Sequence, residues 1–154
     1  MKLKIFFFIL PYFISRSAFS QNSSIAEIDK TIEQMKNQKD AYEKIEKIKS
    51  ENAYKYVYFK DNEVQIISIN EKDKIEKNVE WFYLNNNLIY TETNWLNIIG
   101  GKKLFTEKTY HVKGNLIAWL KSENTFVDAS STEFKKMDKD LGAYAIKIRN
   151  EALE

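Results

Sequence analysis

The single histidine of the chain is the first residue whose type could support catalysis. His111 stands two residues after Thr109 and four after Glu107, so in a strand, where alternate side chains share a face, the three form one polar strip. A histidine beside a carboxylate can act as a general base. One hypothesis is therefore a small hydrolase that uses His111 with Glu107 or Glu92. The other interpretation is an exposed strand histidine, because the chain offers neither a nucleophile-elbow serine nor a glycine-rich oxyanion loop.

Three strand glutamates offer a second kind of chemistry. Glu80, Glu92 and Glu107 could place two carboxylates across a cleft, as glycosidases do, although strand glutamates more often solvate a surface. The chain has no cysteine, which excludes disulfides, thiolate metal sites and cysteine nucleophiles. One histidine without cysteine does not make a zinc site, and the acidic turns at 61–63 and 70–73 lack calcium-loop spacing. We expect no catalytic residue, no metal site and no cofactor.

Aromatic residues are the most prominent feature of the composition. The chain holds three tryptophans and nine tyrosines, and many of them fall in segments that read as strands. Such side chains combine a large apolar surface with a polar atom, which suits the binding of a glycan, a peptide or another protein. They suit a core beneath helices equally well, and both interpretations stay open. The candidate ligand-binding residues are Trp81, Tyr83, Trp95, His111 and Trp119.

The region that must position these residues, from 53 to about 127, has the pattern of strands joined by tight turns. An internal repeat aligns residues 81–89, WFYLNNNLI, with residues 109–117, TYHVKGNLI, at an offset of 28. A looser copy runs through Asp61-Asn62. Asn, Asp and Gly tolerate the positive φ that two-residue hairpin turns require, so each copy predicts a hairpin. Three hairpins in series predict a six-stranded antiparallel meander.

Two amphipathic helices are predicted to flank the sheet. From Ser24 to Ser50, apolar residues recur at three- and four-residue steps after a capping box of Ser24 and Glu27. A second capping box, Ser130 and Glu133, precedes an apolar stripe that continues to the C-terminus. We expect both helices on one face of the sheet. Several strands are apolar on both sides, so something further must cover the other face. The predicted fold is one α+β domain with the order α, six β, α.

The first twenty residues have the composition of a secretory signal peptide. Lys2 and Lys4 precede an apolar run, and small residues stand before a cleavage point between Ser20 and Gln21. The apolar run, about ten residues long, is too short for a transmembrane anchor. The mature domain at 21–154 would carry 21 basic and 22 acidic side chains, because three basic residues leave with the signal. No block of like charges indicates nucleic-acid binding, and we expect membrane contact only during export.

The hairpin segments from Glu80 to Ile89 and from Tyr110 to Trp119 each join an aromatic strand, a turn with Asn or Gly, and a Leu-Ile return strand. In this the chain resembles small uncharacterised secreted proteins of Gram-negative bacteria that are built from such repeated hairpins. The resemblance covers about half of the mature chain. It implies export to the periplasm or the medium and a meander topology, and it implies no activity and no site residues.

Three hypotheses for function follow from these patterns. The first is an exported, non-enzymatic binding or protein-interaction module that uses an open sheet face. Its partner would be an unknown protein, peptide, glycan or small apolar ligand. The second is a periplasmic carrier that encloses a small apolar ligand in the aromatic repeat. The third is the hydrolase built on His111.

The predicted cleavage site can be checked by the mass of the exported protein. We expect the intact mass to equal that of residues 21–154, because Ala18 and Ser20 supply the small side chains needed at positions −3 and −1. Native mass spectrometry of protein purified gently from the exported fraction measures this mass. It also reveals any co-purifying ligand or protein partner. An exported protein that retains residues 1–20 would refute the prediction.

Overall fold

A computed structural model describes residues 10–50, 52–97, 102–122 and 125–154. Residues 1–9 of the predicted signal peptide therefore lie outside the described residues. The helices and strands are α1 Leu10–Asn37, β1 Glu43–Ser50, β2 Ala53–Lys60, β3 Glu63–Lys72, β4 Ile75–Leu84, β5 Asn87–Asn97, β6 Lys103–Val112, β7 Asn115–Lys121 and α2 Thr132–Leu153. A short 3₁₀ turn, Lys39–Ala41, links α1 to β1. All strands pair antiparallel in chain order, so the predicted α+β class and antiparallel meander are confirmed.

Three hairpins turn where the repeat predicts them. Both central residues of each turn have positive φ, at Asp61-Asn62, Asn85-Asn86 and Lys113-Gly114. Two successive positive φ values are typical of the type I′ turn, whose twist matches that of two paired strands. In each hairpin the pairing register also shifts just before the turn. The residue left over by each shift lies on the return strand, at Gln65, Ile89 and Ile117. The sequence repeat is therefore a structural repeat of strand, turn and bulge.

The number of strands and the first helix differ from the prediction. Helix α1 ends at Asn37, and the segment Glu43–Ser50 forms an additional strand that pairs with β2. The spacing of Ile45 and Ile48 suits a helix, but pairing with β2 satisfies the backbone of this segment. Its lysines and glutamates are typical of a sheet edge, where charge discourages pairing with other chains. The sheet thus has seven strands rather than six, and Ser24 lies inside α1 rather than at its start.

The two helices lie on opposite faces of the sheet, so the expectation that they share one face is wrong. Cluster A, on the α1 face, comprises Ile28, Ile32, Met35, Ile66, Phe82, Tyr90, Tyr110 and Ala118. Cluster B, on the α2 face, includes Val57, Ile67, Ile69, Val79, Trp81, Tyr83, Leu88, Ala145, Ile148 and Ala152. Successive strand residues point to opposite faces, which explains why the strands are apolar on both sides. Each face of the sheet is covered by its own helix. Within the described ranges, neither helix is apolar enough over its length to cross a membrane.

Side chains stabilise both ends of α2. At the N-terminus the hydroxyl of Ser131, not Ser130 as expected, accepts a hydrogen bond of 3.1 Å from the backbone N–H of Phe134. The last carbonyls of a helix lack intrahelical partners. Here Nζ of Lys47, on β1, donates to the carbonyl of Glu151 at 3.3 Å and to the next carbonyl at 3.2 Å. The lysine charge also complements the negative end of the helix dipole.

An ion pair fastens α1 to the sheet. Nζ of Lys36 lies 3.1 Å from Oε2 of Glu92 on β5. The hydroxyl of Tyr90 donates to the same oxygen at 2.9 Å, and Nδ2 of Asn94 donates to Oε1 at 3.0 Å. Burial by itself would raise the pKa of Glu92, but these three hydrogen bonds and the Lys36 charge outweigh it and lower the pKa to about 2. Glu92 is therefore a charged anchor for α1.

Replacement of Lys36 by Met should lower the free energy of unfolding by about 1–2 kcal/mol at neutral pH, because it leaves a largely buried carboxylate without its cation. The pKa of Glu92 is depressed in the folded state, so this contribution is present above the unfolded pKa of 4.5 and is lost as pH falls through about 2. Urea denaturation over a series of pH values measures both effects.

Lys30→Met is the matched control, since Lys30 is an exposed lysine of the same helix. Its effect on the free energy of unfolding should stay within about 0.5 kcal/mol. Equal losses for the two variants at neutral pH would contradict the anchoring role of Lys36.

Candidate functional site

A cleft of about 440 Å³ lies between α2 and the sheet face that this helix covers. Its volume falls within the range of about 300–1,000 Å³ that small-molecule sites occupy. The cleft is lined by Ile69, Glu71, Lys77, Val79, Trp81, Thr93, Trp95, Glu107, Met137, Asp140, Leu141 and Tyr144. Apolar and aromatic side chains thus form most of the wall, and a few charged and hydroxyl groups are set among them.

The register of the sheet brings the strand residues of the cleft together. Lys77 on β4 pairs with Trp95 on β5. Thr93 on β5 pairs with Val79 on one side and with Glu107 on the other. Paired residues lie about 5 Å apart and point to the same face. Four strands therefore contribute to one continuous surface.

Trp81 and Trp95 are the predicted site residues that the cleft brings together. The ring of Trp81 is buried at 4 % exposure and lies 5.4 Å from the ring of Tyr144 on α2. The half-buried ring of Trp95 stacks on Phe105 at 5.4 Å, and Nζ of Lys77 lies 5.1 Å from its centroid. Both indole Nε1 atoms are buried and have no hydrogen-bond partner among the described residues. An unpaired buried donor costs about 1–3 kcal/mol, so an acceptor brought by a ligand would bind favourably here.

Tyr83 and Trp119, two further predicted contact residues, are core side chains. The hydroxyl of Tyr83 donates to the carbonyl of Ala145 on α2 at 3.0 Å. Trp119 packs against Phe134 at the start of α2, and its Nε1 donates to Oε1 of Glu107 at 2.7 Å. Because Glu107 lines the cleft, Trp119 acts on the site indirectly, by orienting a carboxylate of the wall.

His111 is buried at 1 % exposure, which overturns the interpretation as an exposed strand residue. Its Nε2 lies 2.9 Å from the hydroxyl oxygen of Thr109, which in turn lies 2.6 Å from that of Thr91. In the repeat His111 stands 28 residues after Tyr83, next to the same bulge, so it fills an aromatic position of the core. Burial lowers its pKa to about 4, against the smaller opposing effect of the Asp138 carboxylate. The imidazole is therefore neutral at neutral pH and does not line the cleft.

The strand glutamates do not form a carboxylate pair across the cleft. Glu80 and Glu92 are cross-strand neighbours on the α1 face. Nζ of Lys39 lies 2.6 Å from Oε1 of Glu80, and Lys36 pairs with Glu92. Only the third, Glu107, lines the cleft on the α2 face. In the part of the chain that the structure describes, no three His, Cys, Asp or Glu side chains are grouped as metal ligands would be.

Helix α2 supplies the part of the site that the sequence analysis missed. Met137, Asp140, Leu141 and Tyr144 form the wall opposite the sheet. Three of them continue the apolar stripe and therefore appeared to be core residues. The signal that could have distinguished them is Asp140, a carboxylate placed one turn before Tyr144 on that apolar side.

Comparisons with protein-family models, with curated proteins and with solved structures gave no match. The chemistry of the cleft is therefore the basis for a functional assignment. Function resides in the site rather than in the fold.

The buried histidine predicts a specific dependence of stability on pH. In the unfolded chain His111 takes up a proton near pH 6.5, whereas in the folded protein it does so only near pH 4. The unfolded state therefore binds more protons in this window, and stability falls as pH drops from 6.5 to 4, by up to about 3 kcal/mol. Urea denaturation at intervals across the window measures the slope.

His111→Phe should remove this part of the slope and still fold, because Tyr83 shows that the equivalent repeat position holds a six-membered aromatic ring. Tyr83→Phe, which removes a hydroxyl and no group that titrates in this window, should keep the slope. If His111→Phe retained the full slope between pH 6.5 and 4, the assignment of that slope to His111 would be wrong.

Proposed function

We propose that this protein is an exported, non-enzymatic binding protein that takes a small organic ligand in the cleft between α2 and the sheet. The observation that carries the proposal is the pair of buried indole N–H groups of Trp81 and Trp95, both on side chains that line the cleft. Buried polar groups of folded proteins are nearly always paired. Two unpaired donors in one cleft therefore mark a place where a ligand completes the hydrogen bonding.

The composition of the wall also supports a binding site. Ligand sites combine a mostly apolar lining with a few convergent polar groups that orient the ligand. Here the rings of Trp81, Trp95 and Tyr144 supply the apolar area, and Thr93 and Asp140 are among the polar groups. The export that we propose rests on the composition of residues 1–20.

Entry of the ligand requires small movements of two side chains. Both indole N–H groups lie below the accessible surface. Tyr144 packs on the ring of Trp81, and Lys77 lies over the ring of Trp95. Tyr144 is exposed and Lys77 is partly exposed, so each can rotate without breaking the core. A ligand that reaches the donors displaces these two side chains.

Both alternative functions have less support in the cleft. A carrier of a purely apolar ligand would have to remove the Asp140 carboxylate and the Lys77 ammonium from water, which is costly without partners. A hydrolase would need an accessible base, whereas His111 is buried beside Thr109. Among its proposed carboxylate partners, Glu107 accepts from Trp119 and Glu92 is on the other side of the sheet. A binding site makes use of the same groups without either difficulty.

Four chemically different probes test the proposal: N-acetylglucosamine, choline, octanoate and indole. Each is added to ¹⁵N-labelled protein while the three indole N–H resonances are followed. We expect at least one probe to shift the resonances of Trp81 and Trp95 strongly. The resonance of Trp119 should move less, because its N–H already donates to Glu107.

A variant that fills the cleft provides the control for location. Thr93→Phe adds a ring to the middle of the cleft floor, at a strand position that tolerates aromatic residues. It should abolish the shifts caused by any probe that binds the wild type. Lys60→Phe, at an exposed position of β2, should leave them intact. If no probe perturbs Trp81 or Trp95, or if Thr93→Phe binds as the wild type does, the cleft is not the binding site.

A further inference from the structure

The polar groups of the cleft wall restrict the chemistry of its ligand. The N–H groups of Trp81 and Trp95 can only donate, so the ligand must carry acceptors. The carboxylates of Glu107 and Asp140, when ionised, can only accept, so the ligand must also carry donors. All four side chains line the same cleft. The ligand must therefore present donors and acceptors close together on a body small enough for about 440 Å³.

Three ligand classes fail this requirement. An anion would approach the carboxylates of Glu107 and Asp140, while the lining offers one ammonium, that of Lys77, and the anion would be repelled. A hydrocarbon chain would leave both indole donors unpaired and would desolvate the carboxylates. A simple ammonium ion supplies donors and no acceptor.

Hydroxyl groups meet both needs, because each can donate one hydrogen bond and accept two. A sugar ring carries several of them around its edge, while its two C–H faces are apolar and can pack on aromatic rings. We propose that the ligand of the cleft is a neutral pyranose sugar that packs on Trp81 and Trp95 and hydrogen-bonds to their N–H groups and to Asp140. This inference rests on the binding function proposed above and specifies its ligand class.

The surface beside the cleft indicates how the sugar is presented. Phe105, stacked on Trp95, is 39 % exposed, and Ile75, on the same side of the sheet as Lys77, is 44 % exposed. These side chains extend the apolar floor out of the cleft toward solvent. A further sugar unit linked to the bound one could pack on them. A free sugar and the terminal unit of a sugar chain would make the same contacts in the cleft. Only the sugar chain would also contact Phe105.

The experiment titrates the wild-type mature protein with glucose, N-acetylglucosamine, maltotriose and chitotriose, again with the three indole resonances as the readout. We expect at least one of these sugars to bind with a dissociation constant below about 1 mM, with downfield shifts of the Trp81 and Trp95 N–H resonances as they acquire acceptors. Because the ligand is neutral, the affinity should not change with ionic strength. A trisaccharide that binds more tightly than its monosaccharide, and loses that advantage in Phe105→Ala, identifies a chain terminus. Equal affinities identify free sugar.

Conservative variants test the assigned contacts. Trp95→Phe keeps an aromatic ring and removes the N–H, so it should weaken sugar binding about fivefold to tenfold. Asp140→Asn keeps the shape and one acceptor, and it should weaken binding by a smaller factor. Tyr54→Phe, at an exposed strand position outside the cleft, is the control and should have no effect.

The outcomes separate this inference from the function on which it rests. If choline, octanoate or indole shifts Trp81 and Trp95 and no sugar does, the binding function stands and the sugar assignment is overturned. Sugar binding that survives Trp95→Phe and Thr93→Phe unchanged also overturns the assignment, because the sugar would then bind elsewhere. If no probe of any class perturbs the cleft, both proposals fall.

Discussion

The register of the hairpins is the constraint on which the rest of the structure depends. Both faces of the sheet are buried, and side chains alternate between them, so a slip of one residue would exchange the contents of cluster A and cluster B. Each repeat prevents the slip in the same way, with two residues of positive φ, as at Asn85-Asn86, followed by a bulge on the return strand. Asn, Asp and Gly reach that conformation at lower cost than other residues. The exception is Lys113, which adopts a φ of 52° beside Gly114.

Local chemistry explains which parts of the fold could be predicted from the sequence. The turns were predictable because a two-residue turn depends on the conformational preferences of its own residues, here Asn-Asn, Asp-Asn or Lys-Gly. Helix α2 was predictable because its apolar stripe is regular. Strand β1 was not, since Ile45 and Ile48 also fit a helical period and only pairing with β2 decides between the two. The packing of the two helices on opposite faces of the sheet could not be predicted from the sequence for a related reason. A strand that is apolar on both sides shows that both faces of the sheet are buried, but it does not show which helix packs on which face.

The cleft forms where the repeat departs from its own pattern. Across β3 and β4 the α2 face is aliphatic at Ile69 and Val79, whereas the row continues as Thr93 and Glu107 on β5 and β6. Small or charged side chains there cannot fill the space beneath the middle of α2. The ends of that helix are held by close packing with cluster B and by contact with Trp119. The sequence showed the aromatic residues of the site but not this gap, because a gap depends on what the facing helix leaves unfilled.

The order of strands in the sheet has a consequence for how the chain reaches its native state. Every strand pairs with its neighbours in sequence, so most sheet contacts are local, and chains of low contact order fold quickly. The longest connections are those of α2, whose terminal carbonyl at Ala152 meets Lys47 across 105 residues. The face beneath α2 therefore stays open until α2, which follows all seven strands of the described sheet, is available. Such a chain keeps an incomplete core during synthesis until residues 145–152 have emerged, because those residues close the core.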